Sequence, residues 1–465
     1  MIIILISYWI FFFRHILFNP YSLAYGEALD CDFSTQRLCG EYWHKGKIPQ
    51  DPYYFGDVAG ARAGTYYPIN ILFAYVSSFF NLNHAWVIHT WNILLHSLAT
   101  SIFAYYLFGR GLIGLFGALA WGYFGYHIKG NLWWVQSFTW ITTTLCFIHH
   151  PILASVSLGM LIYAGTPPLV AYTIYSLVIY YLIVGYNIII FPLAIVIALP
   201  QIIAYLRYYS KSIRTEHTYE DKVIIGKVSP WRYLTTFIPL DIKNYIYDVG
   251  YWETAFYLTP LVFFFALFGN PFGWMFVLFF ILLSSGGMVF KLLSPFMARF
   301  PQRWGYFACL GVIILSVEGL RTFNLPATNL ILLNILLGSM LLFNRSLLPI
   351  YPFVQWTKKP LEYFKTPLLS YLRGHSGRFR VSNLPYPVYS GQIAHIKSLG
   401  YCGGNHYKWL GKLRNIPKQG AGGYNWFEFK EDGEDLDAFG VKYHIGERPS
   451  KRWKKVKGFN LYKNG

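Results

Sequence analysis

Residues 85–127 read AWVIHTWNILLHSLATSIFAYYLFGRGLIGLFGALAWGYFGYH. Arg110 is the one Lys, Arg, Asp or Glu in this stretch, and it sits between Gly109 and Gly111. On either side, 85–108 and 111–127 are apolar runs of about the length that a bilayer core demands of a helix. Glycines around a lone arginine stop both runs, so the stretch reads as two membrane helices joined by a tight turn.

The same texture extends in both directions. Further spans are expected at 2–18, 132–148, 150–165, 168–185, 188–208, 254–268, 271–287, 302–320 and 329–345, about eleven in all. Pro167-Pro168 can break one of them. The chain of 465 residues is 55% hydrophobic and 13% charged, against roughly a quarter charged in soluble domains. The expected fold class is an all-α polytopic membrane protein, with residues 1–345 forming the transmembrane domain and 346–465 a basic C-terminal soluble region. Residues 2–18 begin their apolar run at once and lack a small-x-small cleavage site before Asn19, so they read as a signal-anchor.

With the N-terminus inside, the 19–84 loop, the 209–252 loop, the 288–301 link and the tail fall outside, and the inside loops hold little beyond Arg110 and Arg321. Lys129, Lys291 and Arg299 lie on the other side, where the positive-inside rule gives no support. The expected localisation is a bacterial-type plasma membrane, with the main loops and the tail outside. Residues 65–81 are apolar over too short a run to span comfortably and read as an interfacial or re-entrant helix.

The formal charge is +18, and about +12 of it follows Arg345. Tethered to a membrane, that tail is expected to meet anionic lipid or an anionic polymer and not nucleic acid. RFRV at 378–381, NWFEFK at 425–430 and GVKYHI at 440–445 read as short strands between Gly-rich turns, followed by the basic run Lys451-Arg452-Trp453-Lys454-Lys455.

The polar stretch from Asn19 to Pro68 concentrates candidate chemistry. Helical spacing from Phe33 to Lys45 puts Asp32 at an N-cap. A capping residue and a carboxylate that orients or deprotonates an attacking hydroxyl are compatible roles. Asp57, between glycines, and Asp30 are alternatives, while Asp51 before Pro52 reads as a turn former. Cys31 and Cys39 can form a disulfide if the loop faces an oxidising compartment, or stay as two thiols. Arg299 and Arg303, four apart around Pro301, can grip a phosphate through forked hydrogen bonds or snorkel from a helix end.

Glu253 opens a span and calls for a cationic partner. His89 and His96 share one helix face, where interhelical hydrogen bonds are the plainer role. Glu216, His217, Glu220 and Asp221 offer a possible divalent metal site, with a solvated surface the plainer reading, and no other cofactor motif is present. A phosphate-binding Gly-rich loop, a His-Glu-x-x-His helix and a nucleophile elbow are all missing, which excludes the usual ATPase and zinc-protease signatures.

Several separated strings carry a family likeness. LDCDFSTQR, EYWHKGKIPQDPYYFGDVAG and GTYYPINILF in the opening loop resemble the first outer loop of the YfhO-type membrane proteins, polytopic glycosyltransferases of the GT-C fold. NILLHSLATSIFAYYLFGRGLIGLFGALAWGYFGY, LIYAGTPP, ETAFYLTPLVFFFALFG and RFPQRWGYFACLGVIILSVEGL continue the likeness, as do GRFRVSNLP, HIKSLGY and AFGVKYHI in the tail. The resemblance implies transfer of a sugar from a polyprenyl-phosphate carrier to a cell-envelope acceptor on the outer face.

By that likeness Asp32 matches the acidic position of the first outer loop, and Arg303, with Arg299, matches a cationic stretch for the carrier phosphate. The family usually has Gly-Asp where this chain has Cys31-Asp32, and the chain is shorter than typical members. In the implied reaction Asp32 handles the acceptor hydroxyl, Arg303, Arg299 and Arg62 the phosphate, and Trp43, Tyr53, Tyr54 and Tyr66 stack on sugar rings. A lipid or polysaccharide transporter would instead show broken helices in matching halves. A non-catalytic assembly partner would use the basic tail alone.

Overall fold

The computed structural model describes residues 1–23, 33–49, 64–124, 132–165, 167–184, 188–209, 233, 257–293, 301–347, 366–375, 380–382, 401–402, 426–427, 441–445 and 453–463. The chain is mostly helical. Helices α1 (Ile2–Phe18), α2 (Ser34–His44), α3 (Pro68–Ser78), α4 (Leu82–Leu107), α5 (Gly111–Gly122), α6 (Leu132–Cys146), α7 (Pro151–Ala164) and α8 (Pro167–Val184) come first. They are followed by α9 (Ile190–Ile197), α10 (Leu199–Tyr209), α11 (Pro260–Ala266), α12 (Pro271–Ser284), α13 (Met288–Leu293), α14 (Gly305–Thr322), α15 (Ala327–Leu347) and α16 (Pro367–His375).

Among the described residues, α4 and α14 are long and apolar enough to cross a membrane, and α9 with α10 would make a third if that bent pair is one span. Other apolar helices, α1, α3, α5, α7 and α12 among them, are 10–17 residues long, and α15 is counted with them over Ala327–Phe343. Their outward faces are apolar: Ile3 and Phe18 on α1, Phe272, Met275 and Leu278 on α12, and Leu332 and Ile335 on α15 are all exposed. In water such contiguous apolar faces would drive association, whereas lipid tails solvate them. Meanwhile Thr100, Ser101, Thr142, Thr143 and Asn334 are buried. Apolar outside and polar between helices is the pattern of a membrane-associated helical protein.

The expected span 188–208 is two helices, broken at Ala198 just before Pro200. Proline lacks an N–H and clashes with the preceding turn, so one straight helix is disfavoured there. The expected span 254–268 is helical only over Pro260–Ala266 within its described part, and 271–287 stops at Ser284 before the left-handed Gly286.

The contacts divide the chain into two compact units. One holds Met1–Asn19, Ile93–Leu199 and Thr218–Val354. Here α14 packs against α11, α12 and α5, and α7 against α6 and α9. Gly319 on α14 lies directly against the Phe265 carbonyl of α11, where any Cβ would collide. Side chains tie helices to backbone: Tyr8 donates to the Gly338 carbonyl (2.8 Å), Arg321 Nη2 to Phe108 (2.8 Å) and Asn334 Nδ2 to Leu112 (3.0 Å). The α4–α5 turn needs left-handed backbone at Gly109, Arg110 and Gly111 (φ 99, 62 and 61°), and glycine at the two outer positions supplies it without strain.

The other unit holds Pro20–Asn92, Pro200–His217 and Gln355–Gly465. In it α2 packs on α3, with Gly40 against the Ala74 carbonyl and Arg37 Nη1 donating to the Ser77 carbonyl. Toward the C-terminus, strands β1 (Arg380–Ser382), β4 (Val441–Ile445), β5 (Lys454–Lys455) and β6 (Leu461–Lys463) form a sheet in the order β1-β4-β6-β5. β1 runs parallel to β4 and the other pairs are antiparallel. A two-stranded pair joins β2 (Tyr401–Cys402) to β3 (Trp426–Phe427). Leu369 and Leu372 of α16 pack on Tyr443 and Leu461 of the sheet. The strands expected at 378–381, 425–430 and 440–445 coincide in part with β1, β3 and β4, whereas the basic run contributes a strand, β5, that was not expected.

Candidate functional site

Among the described residues, the polar opening segment contributes α2, and α3 follows it. The N-cap position of α2 falls on Phe33, which has helical backbone and no side-chain cap, so the chain is already in helical conformation before Ser34. Asp32, expected at that cap, lies outside the described residues. Arg37 and Glu41, four apart on α2, approach to 3.7 Å. Burial pulls the Arg37 pKa below its ordinary value and Glu41 opposes that pull. This guanidinium is committed to holding α2 on α3. Cys39 is buried beside Leu38, with Tyr42 and Trp43 packed around them.

Toward α4 the same helix presents neutral groups. Gln36 Oε1 is hydrogen-bonded to His89 Nδ1. Both residues are buried, at 8% and 1% exposure. The Phe33 ring meets Trp86 at 5.1 Å and His89 at 5.9 Å, and Trp86 meets His89 at 5.3 Å. Trp86 Nε1 donates to the Pro20 carbonyl (2.9 Å), tying the end of the first apolar segment's linker to α4. One turn further along α4, Asn92 Nδ2 donates to Asn70 Oδ1 (2.8 Å), and Asn70 Nδ2 donates to the Gly64 carbonyl (3.2 Å). Trp43 and Tyr66, two of the expected sugar-stacking residues, meet edge to face at 6.1 Å. The Tyr66 N–H donates to Gln201 Oε1 (3.4 Å).

The second candidate feature lies in the other unit and is described by itself. Arg303 sits in a 3-10 turn, Pro301–Trp304, that leads into α14. It is buried, at 8% exposure, with its guanidinium carbon 4.4 Å from the centre of the Trp134 ring. A cation over an indole face keeps favourable electrostatics where water is scarce. The next residue, Trp304, stacks on Tyr172 at 4.2 Å and on Phe280 at 5.5 Å. This aromatic slab fixes the turn that carries the arginine.

Asp30, Cys31, Asp32, Asp51, Tyr53, Tyr54, Asp57, Arg62, Glu253 and Arg299 lie outside the described residues, and so does the acidic cluster of Glu216, His217, Glu220 and Asp221. The expected Cys31–Cys39 bond therefore also falls outside them. Among the described residues no group of three or more His, Cys, Asp or Glu could hold a metal ion.

No protein-family model matches the chain, and no curated protein matches it. The reading of the site accordingly stands on the residues. Sequence reasoning noted His89 but missed Gln36, Asn70 and Asn92. The available signal was weak: Gln36 follows Phe33 by one helical turn, which puts an amide on the face that carries the aromatic.

Proposed function

We propose that the protein is a membrane glycosyltransferase that moves a sugar from a polyprenyl-phosphate carrier to a cell-envelope acceptor on the outer face. About eleven spans, some of them short or broken, carry the chain through the membrane in this reading, with residues 19–84 and the tail outside. The observation that carries the reading is Arg303, a buried guanidinium at the head of the membrane-length helix Gly305–Thr322. Ionisable groups are costly in such positions and generally mark function. An arginine's fork of donors suits a phosphate. The family-like strings around Asp32 and Arg303 supply the rest of the support.

The chemistry balances without a co-reactant. An acceptor hydroxyl oxygen attacks the anomeric carbon, the bond from that carbon to the phosphate oxygen breaks, and its electron pair leaves with the phosphate. Asp32 takes the hydroxyl proton, and Arg303 stabilises the charge that grows on the phosphate. A single displacement of this kind inverts the anomeric centre.

A sugar-transfer assay in membranes tests the roles. Asp32→Asn and Arg303→Ala are each expected to lower turnover about a hundredfold or more, with Arg303→Lys intermediate because it keeps charge and loses the fork. Full turnover in both variants, with the protein still folded, would sink the assignment. The bent α9–α10 pair favours a second reading, a lipid or polymer transporter. That reading predicts labelled glycolipid crossing sealed vesicles without any sugar being transferred.

A further inference from the structure

We propose that Gln36 and His89 form a neutral subsite that binds hydroxyl groups of a sugar ring; the identity of the molecule bearing that sugar rests on the glycosyltransferase reading. The two side chains satisfy each other through Gln36 Oε1 and His89 Nδ1. That single bond leaves Gln36 Nε2 and His89 Nε2, both buried, with no hydrogen-bond partner among the described residues. Turning the Gln36 amide over would only exchange which of its atoms is left. A buried polar atom without a partner costs about 1–3 kcal/mol, so two on one bonded pair mark a place built for a ligand's polar groups.

The chemistry selects the ligand class. Neither side chain is a carboxylate or a guanidinium, and the adjacent Arg37 is spent on Ser77 and Glu41. A hydroxyl both donates and accepts, so it matches an amide N–H and an imidazole nitrogen of either tautomer. The rings of Phe33 and Trp86 pack on His89 and are themselves buried, so a pyranose laying its C–H face there has to part them. Asp32, the proposed base, is the residue bonded to Phe33. Hydrogen bonds from the pair to ring hydroxyls would select the sugar and orient it.

The test uses the full chain in lipid nanodiscs and follows tryptophan fluorescence. Polyprenyl-phosphate-linked glucose, mannose and N-acetylglucosamine are titrated beside bare polyprenyl phosphate. At least one sugar-linked lipid is expected to bind about tenfold more tightly than the bare carrier, with Trp86→Phe removing part of the signal. Gln36→Leu with His89→Leu should abolish that increment, while His89→Gln keeps most of it. The double change replaces a bonded pair by two apolar groups, which is close to neutral for folding. Gln36→Met carries the same test if the double variant is not monodisperse.

Equal affinity for bare and sugar-linked lipids in the unaltered protein overturns the subsite, as does an increment that survives both Gln36 variants. An increment that needs Gln36 and His89, without detectable transfer, keeps the subsite and sinks the enzymatic reading. Transfer with an unchanged KM in the double variant does the reverse.

Discussion

The two units differ in emphasis in how they partner buried polar groups. In the membrane-helix unit, Tyr8, Arg321 and Asn334 reach distant carbonyls, but many Ser and Thr hydroxyls are absorbed by their own helix. Thr139, Thr142 and Thr143 on α6, Ser155 and Ser157 on α7 and Thr173 on α8 each donate to the carbonyl four residues back. In the unit that carries the opening loop, polar side chains reach across the sequence instead. Gln36 meets His89, Asn70 meets Asn92 and Gln201 accepts from Tyr66. A local bond survives most changes elsewhere, because it needs only its own helix. A long-range bond exists only in the folded state, and it can leave capacity for a ligand. The difference teaches where to look for chemistry in an apolar chain: at polar groups whose partners are remote.

The sharpest way to break the comparison is steric. Gly319→Val should destabilise the membrane-helix unit by about 3 kcal/mol or more, since α14 can no longer lie on the Phe265 carbonyl. Thermal unfolding in detergent measures it, and a small loss would show that α11 and α14 are not closely packed. Arg37→Ala comes next, at about 2 kcal/mol, because it removes a charged donor from the Ser77 carbonyl and detaches α2 from α3. Proteolysis of the opening loop should accelerate in that variant.

Thr143→Val should cost only about 1 kcal/mol, because its hydroxyl donates to the Thr139 carbonyl of its own helix. A cost equal to that of Arg37→Ala would erase the contrast between local and remote bonds. The smallest effect concerns pH. Burial, with Tyr371 nearby, raises the Tyr443 pKa above its ordinary value of 10.0. A raised phenol favours the neutral folded form, so its contribution is fully present below about pH 10 and is lost as pH rises through the shifted value. Tyrosinate absorbance of the full chain should show a late titration step that Tyr443→Phe removes.

Much of the helical architecture was legible. The first expected span, 2–18, coincides with α1, because seventeen residues pass without a proline or glycine. The break before Pro200 was also written in the sequence, but the surrounding residues are so apolar that hydropathy carried straight across it. The site was harder. Arg303 stood out as a cation beside an apolar run, yet its seat on Trp134 joins positions 169 apart. Gln36 and His89 are separated by 53 positions in two elements of different period and composition. No spacing rule links such residues, since only the packing of α2 on α4 brings them together.

The small C-terminal sheet ends on β5, whose Lys454 and Lys455 are exposed, and Lys454 stands directly opposite Lys463 of β6. Like charges facing each other weaken a pair of strands slightly. They also make the outer edge a poor template for a further strand from another chain. For proteins confined to the plane of a bilayer, where neighbours collide far more often than in solution, such an edge keeps copies from zippering into aggregates.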